Sequence, residues 1–316
     1  MYYLGFDIGG TKSAVCLGET NADGTIRILG KEKFPTTGAP YTVLDGLIAA
    51  ARRIMDAEGI SAADVRAAGI SCGGPLSSAQ GVILSPPNLP GWDEIHAAEH
   101  IQDALGIPAY LENDANACAA AEWLFGAGRG TKNMIFLTFG TGLGAGLILD
   151  GRLYRGTTDS AGEIGHVRLT DGGPVGFGVA GSCEGWCSGG GIARLARMEA
   201  ERDPAASAAL LREAGSAEKI SAANAAKLAN AGDPFCRRIY EMSGEKLGRT
   251  LAILSDILDV ERIVIGSVFA RSENLLRPAM ERVMRQEALR MPEVVPAQLG
   301  ESIGDMAALA IAVNAR

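Results

Sequence analysis

The sequence has 316 residues, of which 47% are hydrophobic and 21% charged, a composition that supports a sizeable core and excludes a disordered chain. At about 150 residues per domain, this length predicts two domains or one large one. Glycine is the outlier, because the sequence has 42 glycines where an average chain of this length has roughly 22. There is no Gly-X-Y period, so the surplus does not indicate collagen. We expect these glycines where the backbone turns sharply or approaches another group.

The net charge of −8 comes from 29 basic and 37 acidic residues, and no basic run exceeds two residues. This pattern disfavours a nucleic-acid surface. The six cysteines are scattered along the chain, which favours a reducing cytoplasm over a disulfide framework. The N-terminus lacks the features of a signal peptide, and the uncharged run between Lys132 and Asp150 is too short for a membrane helix. We therefore expect a soluble cytoplasmic protein.

Strands and helices alternate along the first part of the chain. The predicted strands are 2–6, 13–17, 25–29, 65–71 and 109–112, and the predicted helices are 41–58, 93–105 and 115–125. Residues 73–92 are rich in Gly, Pro and Ser and are predicted to form a long loop region of the kind that carries function.

The opening pattern recurs weakly in the second part of the chain. Strands are predicted at 134–139, 145–149 and 152–154, with a tight turn at Gly140-Thr141-Gly142 that matches the Gly10-Thr11 turn. Farther on, helices are predicted at 235–258, 272–289 and 305–315, and a strand at 261–265. We predict two related halves with an α/β layered architecture, divided near residues 112–114. The helix at 305–315 is expected to return to the first half.

The two Gly-rich turns suggest phosphate binding, because glycines let backbone N–H groups approach an anion. A Walker A loop is excluded, because Thr11 separates Gly10 from Lys12 and a strand follows. The dinucleotide pattern at Gly140, Gly142 and Ala145 also fails, because a strand follows there instead of a helix. Ordinary hairpin turns remain an alternative. The pair of matching turns favours a nucleotide, for which Asp7 could hold Mg²⁺ through water while Thr11 and Lys12 contact phosphate oxygens.

The run Glu112-Asn113-Asp114-Ala115-Asn116-Ala117 lies where a predicted strand becomes a helix. Asp114 has two interpretations. It could be the N-cap of the helix, a position where Asp is favoured. It could instead be the general base of a phosphoryl transfer, since a carboxylate at the carboxyl end of a strand faces the ligand cleft. Asn113 beside it could form hydrogen bonds with a polyol.

The sequence has three histidines. His96 and His100 lie four residues apart on a predicted amphipathic helix; they could bind a metal, but solvated surface positions beside Glu94 and Glu99 are the favoured interpretation. His166 follows Gly162-Glu163-Ile164-Gly165 and is flanked by glycine and apolar residues. It is either a core histidine with satisfied hydrogen bonds or, with Glu163, a ligand for sugar hydroxyls.

Taken together, these motifs resemble the ROK family of bacterial sugar kinases and related repressors. The matching stretches occur in family order over nearly the whole chain. They are Asp7-Ile8-Gly9-Gly10-Thr11-Lys12, Pro87-Asn88-Leu89-Pro90-Gly91-Trp92, Glu112 to Ala117, Phe139-Gly140-Thr141-Gly142-Leu143-Gly144-Ala145-Gly146, Ala161-Gly162-Glu163-Ile164-Gly165-His166 and Ile263-Val264-Ile265-Gly266-Ser267.

The resemblance implies an actin-like ATPase (ribonuclease H-like) fold, in which two α/β domains, 1–112 with about 300–316 and 113–299, flank a cleft for sugar and ATP. It implies that Asp114 is the catalytic base and that Asp7 holds Mg²⁺ through water. The residues implied to face the sugar are Gly74, Asn88, Asn113, Glu163, His166 and Glu184. The residues implied to surround the phosphates are Asp7, Gly9, Gly10, Thr11, Lys12, Gly140, Thr141 and Gly142, with Gly266 and Ser267 near adenosine. The family usually forms dimers or tetramers, and we expect a homodimer.

The sequence departs from the family at its structural zinc site. The family pattern needs three cysteines after the Gly-His pair, but alignment on Gly178, Gly181 and Glu184 puts Val175, Phe177 and Ser182 at those positions. Cys183 and Cys187 are out of register, and a closed zinc site needs four ligands. We predict no family-type zinc and expect Val175 and Phe177 to replace the metal by apolar packing. A ligand set of His166, Cys183 and Cys187 is the remaining alternative.

The main hypothesis is an ATP-dependent, hexokinase- or glucokinase-type enzyme that phosphorylates a hexose, by resemblance at the 6-hydroxyl, with glucose or an N-acetylhexosamine as the substrate. Fructose or allose is the alternative sugar, because the loop at Ser71–Ser77 departs from the family's Gly-x-Pro-Gly and puts the sugar preference in doubt. The alternative function is a non-catalytic sugar-sensing regulator. We disfavour it because the first motif begins near residue 2, which leaves no room for a preceding DNA-binding domain, and because Asp114 is present.

Overall fold

The computed structural model describes residues 1–315, which divide into two compact units. The first unit comprises Met1–Lys132, Gly146–Ala161 and the chain from Gln298 onward, and the second comprises Asn133–Ala145 and Gly162–Ala297. The domain boundaries inferred from the sequence, near residues 112 and 299, stay a prediction. Within residues 1–315, no helix is both long and apolar enough to cross a membrane.

The described residues open with three strands and mix strands and helices up to Ala180, and they are mostly helical from Cys183 onward. The strands are β1 (Tyr2–Ile8), β2 (Lys12–Thr20), β3 (Ile26–Pro35), β4 (Val65–Cys72), β5 (Leu76–Ser77), β6 (Val82–Ile83), β7 (Ala109–Asn113), β8 (Met134–Phe139), β9 (Leu143–Leu149), β10 (Arg152–Tyr154), β11 (Val175–Gly176), β12 (Val179–Ala180), β13 (Arg262–Ile265) and β14 (Glu293–Pro296). The helices are α1 (Pro40–Glu58), α2 (Ala97–Leu105), α3 (Asp114–Phe125), α4 (Cys183–Cys187), α5 (Gly189–Arg202), α6 (Ala208–Ala214), α7 (Ala222–Asn230), α8 (Pro234–Leu258), α9 (Val268–Glu287) and α10 (Ile303–Asn314).

The two five-stranded sheets share one strand order. The first runs β3-β2-β1-β4-β7 and the second β10-β9-β8-β13-β14. In the first sheet, β2 pairs antiparallel with β1 and β3, whereas β4 pairs parallel with β1 and β7. In the second, β10 pairs antiparallel with β9, and β13 pairs parallel with β8 and β14. The mixed α/β architecture and the recurrence of its opening pattern, both predicted from the sequence, are confirmed.

Successive side chains of β1 point to opposite faces of the first sheet, and both faces are buried. Leu4, Phe6 and Ile8 belong to the same apolar cluster as the buried face of α1. Tyr3, on the other side, packs in a cluster with Leu309 of α10. Asp7 shares the alternation of Tyr3, so the carboxylate at the end of β1 is directed toward the α10 side of the sheet.

Glycines let α10 lie directly on the strands. A Cβ on Gly69 of β4 would lie 2.1 Å from the carbonyl oxygen of Ala308, and a Cβ on Gly5 of β1 would lie 3.0 Å from the backbone nitrogen of Leu309. A real Cβ cannot approach backbone as closely as at Gly69, so that position requires glycine or α10 would be pushed off the sheet, whereas a Cβ at Gly5 would fit only tightly.

In the second unit, glycines bring a second pair of elements together. A Cβ on Gly244 of α8 would lie 2.6 Å from the carbonyl oxygen of Leu276 in α9, and one on Gly248 would lie 2.4 Å from that of Met280. The two long helices therefore pack with their backbones unusually close.

The glycine-rich segment 172–191 also packs backbone against backbone. A Cβ on Gly185 would lie 2.1 Å from the carbonyl oxygen of Pro174, and one on Gly181 would lie 2.2 Å from that of Thr170. A Cβ on Gly176, from the β11–β12 hairpin, would lie 2.4 Å from the backbone nitrogen of Gly185. Close backbone packing in this segment accounts for part of the glycine surplus of the sequence.

Several elements differ from the predictions. The helix predicted at 93–105 begins at Ala97, and α9 begins at Val268 although Ser272 within it is not helical. The strands β5, β6, β11 and β12 were not predicted, because two residues have no period, and the edge strand β14 was also missed.

We expect Gly181→Ala to destabilise the protein more than Gly178→Ala. Both glycines have left-handed backbones, with φ +69° and +75°, so both substitutions cost on the order of 1–2 kcal/mol. At Gly181 the new Cβ would also collide with Thr170, whereas at Gly178 nothing lies within 4 Å. Thermal unfolding of the two variants measures the difference. Equal melting temperatures would contradict the role assigned to close packing.

Candidate active site

Hydrogen bonds from Thr36 stabilise the turn between β1 and β2. The backbone N–H of Gly9 donates to the carbonyl of Lys12 at 3.2 Å, and the Thr36 hydroxyl donates to the carbonyl of Gly9 at 2.6 Å. The N–H of Thr36 donates to the carbonyl of Thr11 at 3.0 Å. Thr11 and Lys12 are exposed, so the turn that was predicted to bind phosphate presents both side chains at the surface of the first unit. Thr36 itself was not predicted.

Two asparagines from distant parts of the sequence lie next to this turn and to the loop after β4. A Cβ on Gly10 would lie 2.2 Å from the carbonyl oxygen of Asn88, and one on Gly73 would lie 3.4 Å from the Asn88 amide. A Cβ on Gly74 would lie 3.2 Å from Nδ2 of Asn113. The structure thus brings together Gly10, Asn88, Gly74 and Asn113, four residues of the predicted site.

Asp114 is the first residue of α3, directly after β7. The N-cap is Asn113, whose side-chain oxygen accepts the Ala115 N–H at 2.9 Å, so the interpretation of Asp114 as the N-cap is wrong. Oδ1 of Asp114 also accepts the Ala115 N–H, at 2.8 Å. The carboxylate is therefore oriented by the first turn of the helix, where negative charge is stabilised by the unpaired N–H groups.

A buried carboxylate stabilises the junction between β7 and α3 by hydrogen bonds. Glu112 is fully buried and accepts hydrogen bonds from the Asn113 N–H, from Nδ2 of Asn116 and from Nε of Arg155, at 3.0, 3.0 and 2.6 Å. Glu112 appeared in the sequence motif without a role, and Arg155 was not predicted. The signal in the sequence was a single acidic residue at the end of the otherwise apolar predicted strand 109–112.

Asp7 lies in a strongly acidic environment. Its pKa is raised from 3.8 to about 6, chiefly by burial and then by the neighbouring carboxylates of Asp305 and Asp114, against opposing effects of Lys33 and Lys31. Asp305, at the start of α10, forms an ion pair with Lys31. A Cβ on Gly304 would lie 2.9 Å from Oδ2 of Asp7, so a larger residue there would crowd this carboxylate.

The surroundings of Asp7 fit a divalent cation held mainly by a substrate. Among residues 1–315, no cluster of three or more His, Cys, Asp or Glu side chains is arranged to hold a metal. Mg²⁺ in phosphoryl-transfer enzymes commonly needs one or two carboxylates besides waters and substrate phosphates. Asp7, whose negative charge is destabilised by burial and by neighbouring carboxylates, supplies such a group.

In the second unit, the Gly140-Thr141-Gly142 turn rests on the start of α5. The backbone N–H groups of Gly189 and Gly190 donate to the carbonyls of Gly140 and Thr141 at 2.7 and 3.2 Å. A Cβ on Gly140 would lie 3.9 Å from Oγ of Ser267. The predicted phosphate turn and the predicted adenosine-side pair, Gly266 and Ser267, are therefore neighbours within this unit.

The residues predicted to bind sugar in the second unit also lie together. A Cβ on Gly165 would lie 2.4 Å from the carbonyl oxygen of Leu143 and 3.4 Å from Cβ of Glu184, so the turn carrying Glu163 and His166 packs on the start of β9. Glu184 accepts hydrogen bonds from the N–H groups of Leu143 and Phe177 at 3.2 and 3.1 Å. Its carboxylate thus links the phosphate turn to the β11–β12 hairpin. Glu163 and His166 are exposed.

The residues at the aligned zinc positions do not form the expected apolar cluster. Val175 is 46% exposed and Phe177 is 60% exposed, so the expectation that buried packing replaces the metal is wrong. Cys183 and Cys187 are fully buried, where they contact Thr250 and Ser243, and burial raises the pKa of the Cys187 thiol. The absence of zinc stays a prediction, which metal analysis of the purified protein tests.

The other two histidines lie on α2 and at its start, in the first unit. His96 lies 3.5 Å from Glu99, and Nε2 of His100 lies 2.7 Å from Asp45. His96 thus contacts Glu99, as the favoured interpretation of the sequence expected, whereas the contact of His100 with Asp45 of α1 was not predicted.

In metal-free buffer, Asp7→Asn should raise the free energy of unfolding at pH 7.5 by about 2–3 kcal/mol, since each pKa unit corresponds to about 1.4 kcal/mol. The sign follows from the raised pKa. Asp7 contributes stability below pH 3.8, and this contribution is lost as the pH rises through about 6. The gain from Asp7→Asn should therefore shrink at pH 4.5.

Thermal unfolding with a chelator present, at both pH values, measures this effect. Asp103→Asn, at an exposed position of α2, is the control and should change stability at neither pH. A gain from Asp7→Asn that is the same at pH 4.5 and 7.5 would contradict the electrostatic explanation.

Comparison with known proteins places these two sets of residues in context. A glucokinase of Streptomyces coelicolor is 30% identical over 95% of this chain and 94% of its own. The crystal structure of a ROK family glucokinase from Streptomyces griseus, in complex with glucose and AMPPNP, matches with a TM-score of 0.76 and 31% identity over 99% of each chain. A ROK hexokinase from Thermus thermophilus matches with a TM-score of 0.81 and 30% identity, over 99% of this chain and 98% of its own.

The fold is therefore the actin-like ATPase fold that the sequence motifs implied. The sequence model of the ROK family matches residues 3–315, which includes every motif on which the resemblance was based. The chain belongs to the ROK family.

Proposed function

We propose that this chain is an ATP-dependent hexose kinase in which Asp114 is the general base. The observation that carries the proposal is the position of Asp114 at the start of α3, oriented by the Ala115 N–H, in the unit that also holds Asn88, Asn113 and the Gly10 turn. Family membership and the likeness to a glucokinase solved with glucose and AMPPNP support the two substrates.

The chemical step is a phosphoryl transfer. The carboxylate of Asp114 accepts the proton of a sugar hydroxyl as that oxygen forms a bond to the γ-phosphorus. The bond between the γ-phosphorus and the bridging oxygen breaks, and ADP leaves. Orientation of the carboxylate by the helix, and of the helix by Glu112 and Arg155, holds the base in place without rearrangement during the reaction.

Two backbone turns are proposed to hold the phosphates. Gly9, Gly10, Thr11 and Lys12 form the first, and Gly140, Thr141 and Gly142 form the second, with Gly266 and Ser267 on the adenosine side. Backbone N–H groups at such turns stabilise phosphate oxygens. Asp7 would hold Mg²⁺ through water, and the bound ion would offset the negative charge of the phosphates.

The sugar is proposed to be glucose or an N-acetylhexosamine, phosphorylated at its 6-hydroxyl. The residues proposed to recognise its hydroxyls are Gly74, Asn88, Asn113, Glu163, His166 and Glu184. Amide, carboxylate and imidazole groups together can donate to and accept from neighbouring hydroxyls. We also propose that the protein is cytoplasmic, from its cysteine usage, and a homodimer, as the resemblance implies.

Asp114→Asn should lower kcat by about 10²–10⁴-fold, because the amide cannot accept the proton. The dissociation constant for the sugar should stay within about threefold, because the amide keeps the size of the carboxylate and one of its acceptor oxygens. The rate of ADP release with a panel of hexoses gives kcat for Asp114→Asn and for the wild type. Asp103→Asn is the control and should match the wild type. Equal turnover by Asp114→Asn and the wild type would exclude Asp114 as the base.

The true sugar should raise the melting temperature, because a ligand that binds the folded state stabilises it by mass action. At a concentration of 100 Kd the stabilisation is about 2.7 kcal/mol. A thermal-shift screen would compare glucose, N-acetylglucosamine, N-acetylmannosamine, fructose and allose, each with and without AMPPNP. A shift for fructose or allose alone would contradict the proposed sugar class but leave the kinase activity intact.

A further inference from the structure

Phe177 occupies the turn of the β11–β12 hairpin in an unfavourable state. Its backbone is left-handed, with φ +51°, a conformation that is costly for a bulky side chain. Its side chain is 60% exposed, so the ring gains little from burial. A residue that is strained and exposed at once adds little to stability, which makes a functional role the better explanation.

The same residue contacts two of the residues assigned to the sugar. Its backbone N–H donates to Oε1 of Glu184 at 3.1 Å. Its ring lies on the imidazole of His166, with ring centroids 4.0 Å apart and the planes tilted by 53°. His166 and Glu184 belong to different segments, and Phe177 joins them within the second unit.

The hairpin holds Phe177 in place independently of its ring. Gly176, the preceding residue, lies against the backbone of Gly185, and its carbonyl accepts the hydroxyl of Ser182 at 2.9 Å. The turn is thus fixed by backbone packing, and the Phe177 ring does not contribute to holding it. The ring contacts His166 instead, which lies on an exposed turn where its imidazole would otherwise sample several rotamers.

We propose that Phe177 is a positioning residue for the sugar, which fixes the imidazole of His166 with its ring and the carboxylate of Glu184 with its backbone N–H. The inference rests on the proposed function and extends it to a residue outside the predicted site. Pre-ordering both side chains lowers the entropic cost of binding a neutral hexose, whose adjacent hydroxyls need a donor and an acceptor at fixed positions. Phe177 should affect the sugar and leave ATP binding alone.

Phe177→Gly separates positioning from stability. Glycine relieves the left-handed backbone and retains the N–H, so the variant should melt at or above the wild-type temperature. Loss of the ring should nevertheless raise KM for the sugar by about tenfold, while KM for ATP stays within about twofold. Phe177→Tyr keeps the ring and should stay within about threefold of the wild type for both substrates.

Proton NMR of the imidazole resonances provides a readout that needs no turnover. With three histidines in the sequence, each resonance can be assigned, His166 by its loss in His166→Gln. Phe177→Gly should shift the His166 resonance by removing the ring current and leave those of His96 and His100 in place. Val175→Ala, at an exposed position of the same hairpin, is the matched control and should change neither the spectrum nor KM.

The outcomes separate the two hypotheses. A wild-type protein that phosphorylates no hexose overturns the proposed function and this inference with it. An active wild type whose KM for the sugar is unchanged by Phe177→Gly, or raised equally by Val175→Ala, overturns the inference alone. The same holds if KM for ATP rises as much as KM for the sugar. An unshifted His166 resonance in Phe177→Gly contradicts the ring contact itself.

Discussion

Close approach of one backbone to another, at positions where a Cβ would collide, is the constraint on which both units depend. It lets α10 lie on β1 and β4 at Gly5 and Gly69, and it lets α8 and α9 pack at Gly244 and Gly248. It also places the carbonyl of Asn88 against Gly10, next to the turn assigned to phosphate. The glycine surplus of the sequence therefore reflects packing as much as ligand binding, because elements that come this close leave no room for a side chain between them.

The first unit concentrates negative charge where burial makes it costly. Burial raises the pKa of Asp7, and the nearby carboxylates of Asp305 and Asp114 raise it too, while the positive charge of Lys31 lowers it in part. Natural proteins depart from the most stable arrangement chiefly where function needs it. The concentration of carboxylates thus supports the placement of a cation-dependent reaction here more strongly than the sequence motif alone.

Much of the fold could be predicted from local patterns. Long helices such as α1 and α8, and the strands of both meanders, have clear periodicity, and the Gly-Thr turns mark the same point in each sheet. Short strands such as β11 and β12 could not be predicted, because two residues have no period.

The site was predictable where its residues lie in short motifs and unpredictable where distant segments meet. Asn113 and Asp114 lie at the junction of β7 and α3, so their place could be inferred, although which of them caps the helix depends on local backbone angles. Asp305 beside Asp7, Arg155 on Glu112 and Phe177 on His166 depend on tertiary contacts between residues far apart in sequence or on a turn geometry that the sequence does not reveal. The exposure of Phe177 likewise became visible only in three dimensions.

The dependence of the first sheet on α10 has a consequence for biosynthesis. The thiol of Cys16 on β2 contacts the carbonyl of Asp305 across 289 residues of sequence, and residues 162–297 of the second unit are translated in between. At roughly 5–20 residues per second, the face of β1 and β4 that receives α10 waits on the order of ten seconds or more after β7 has left the ribosome. During that interval the second unit can fold, while the first presents an uncovered apolar sheet face. Chaperone binding to nascent chains should therefore concentrate on the first unit and end when residues 303–314 emerge.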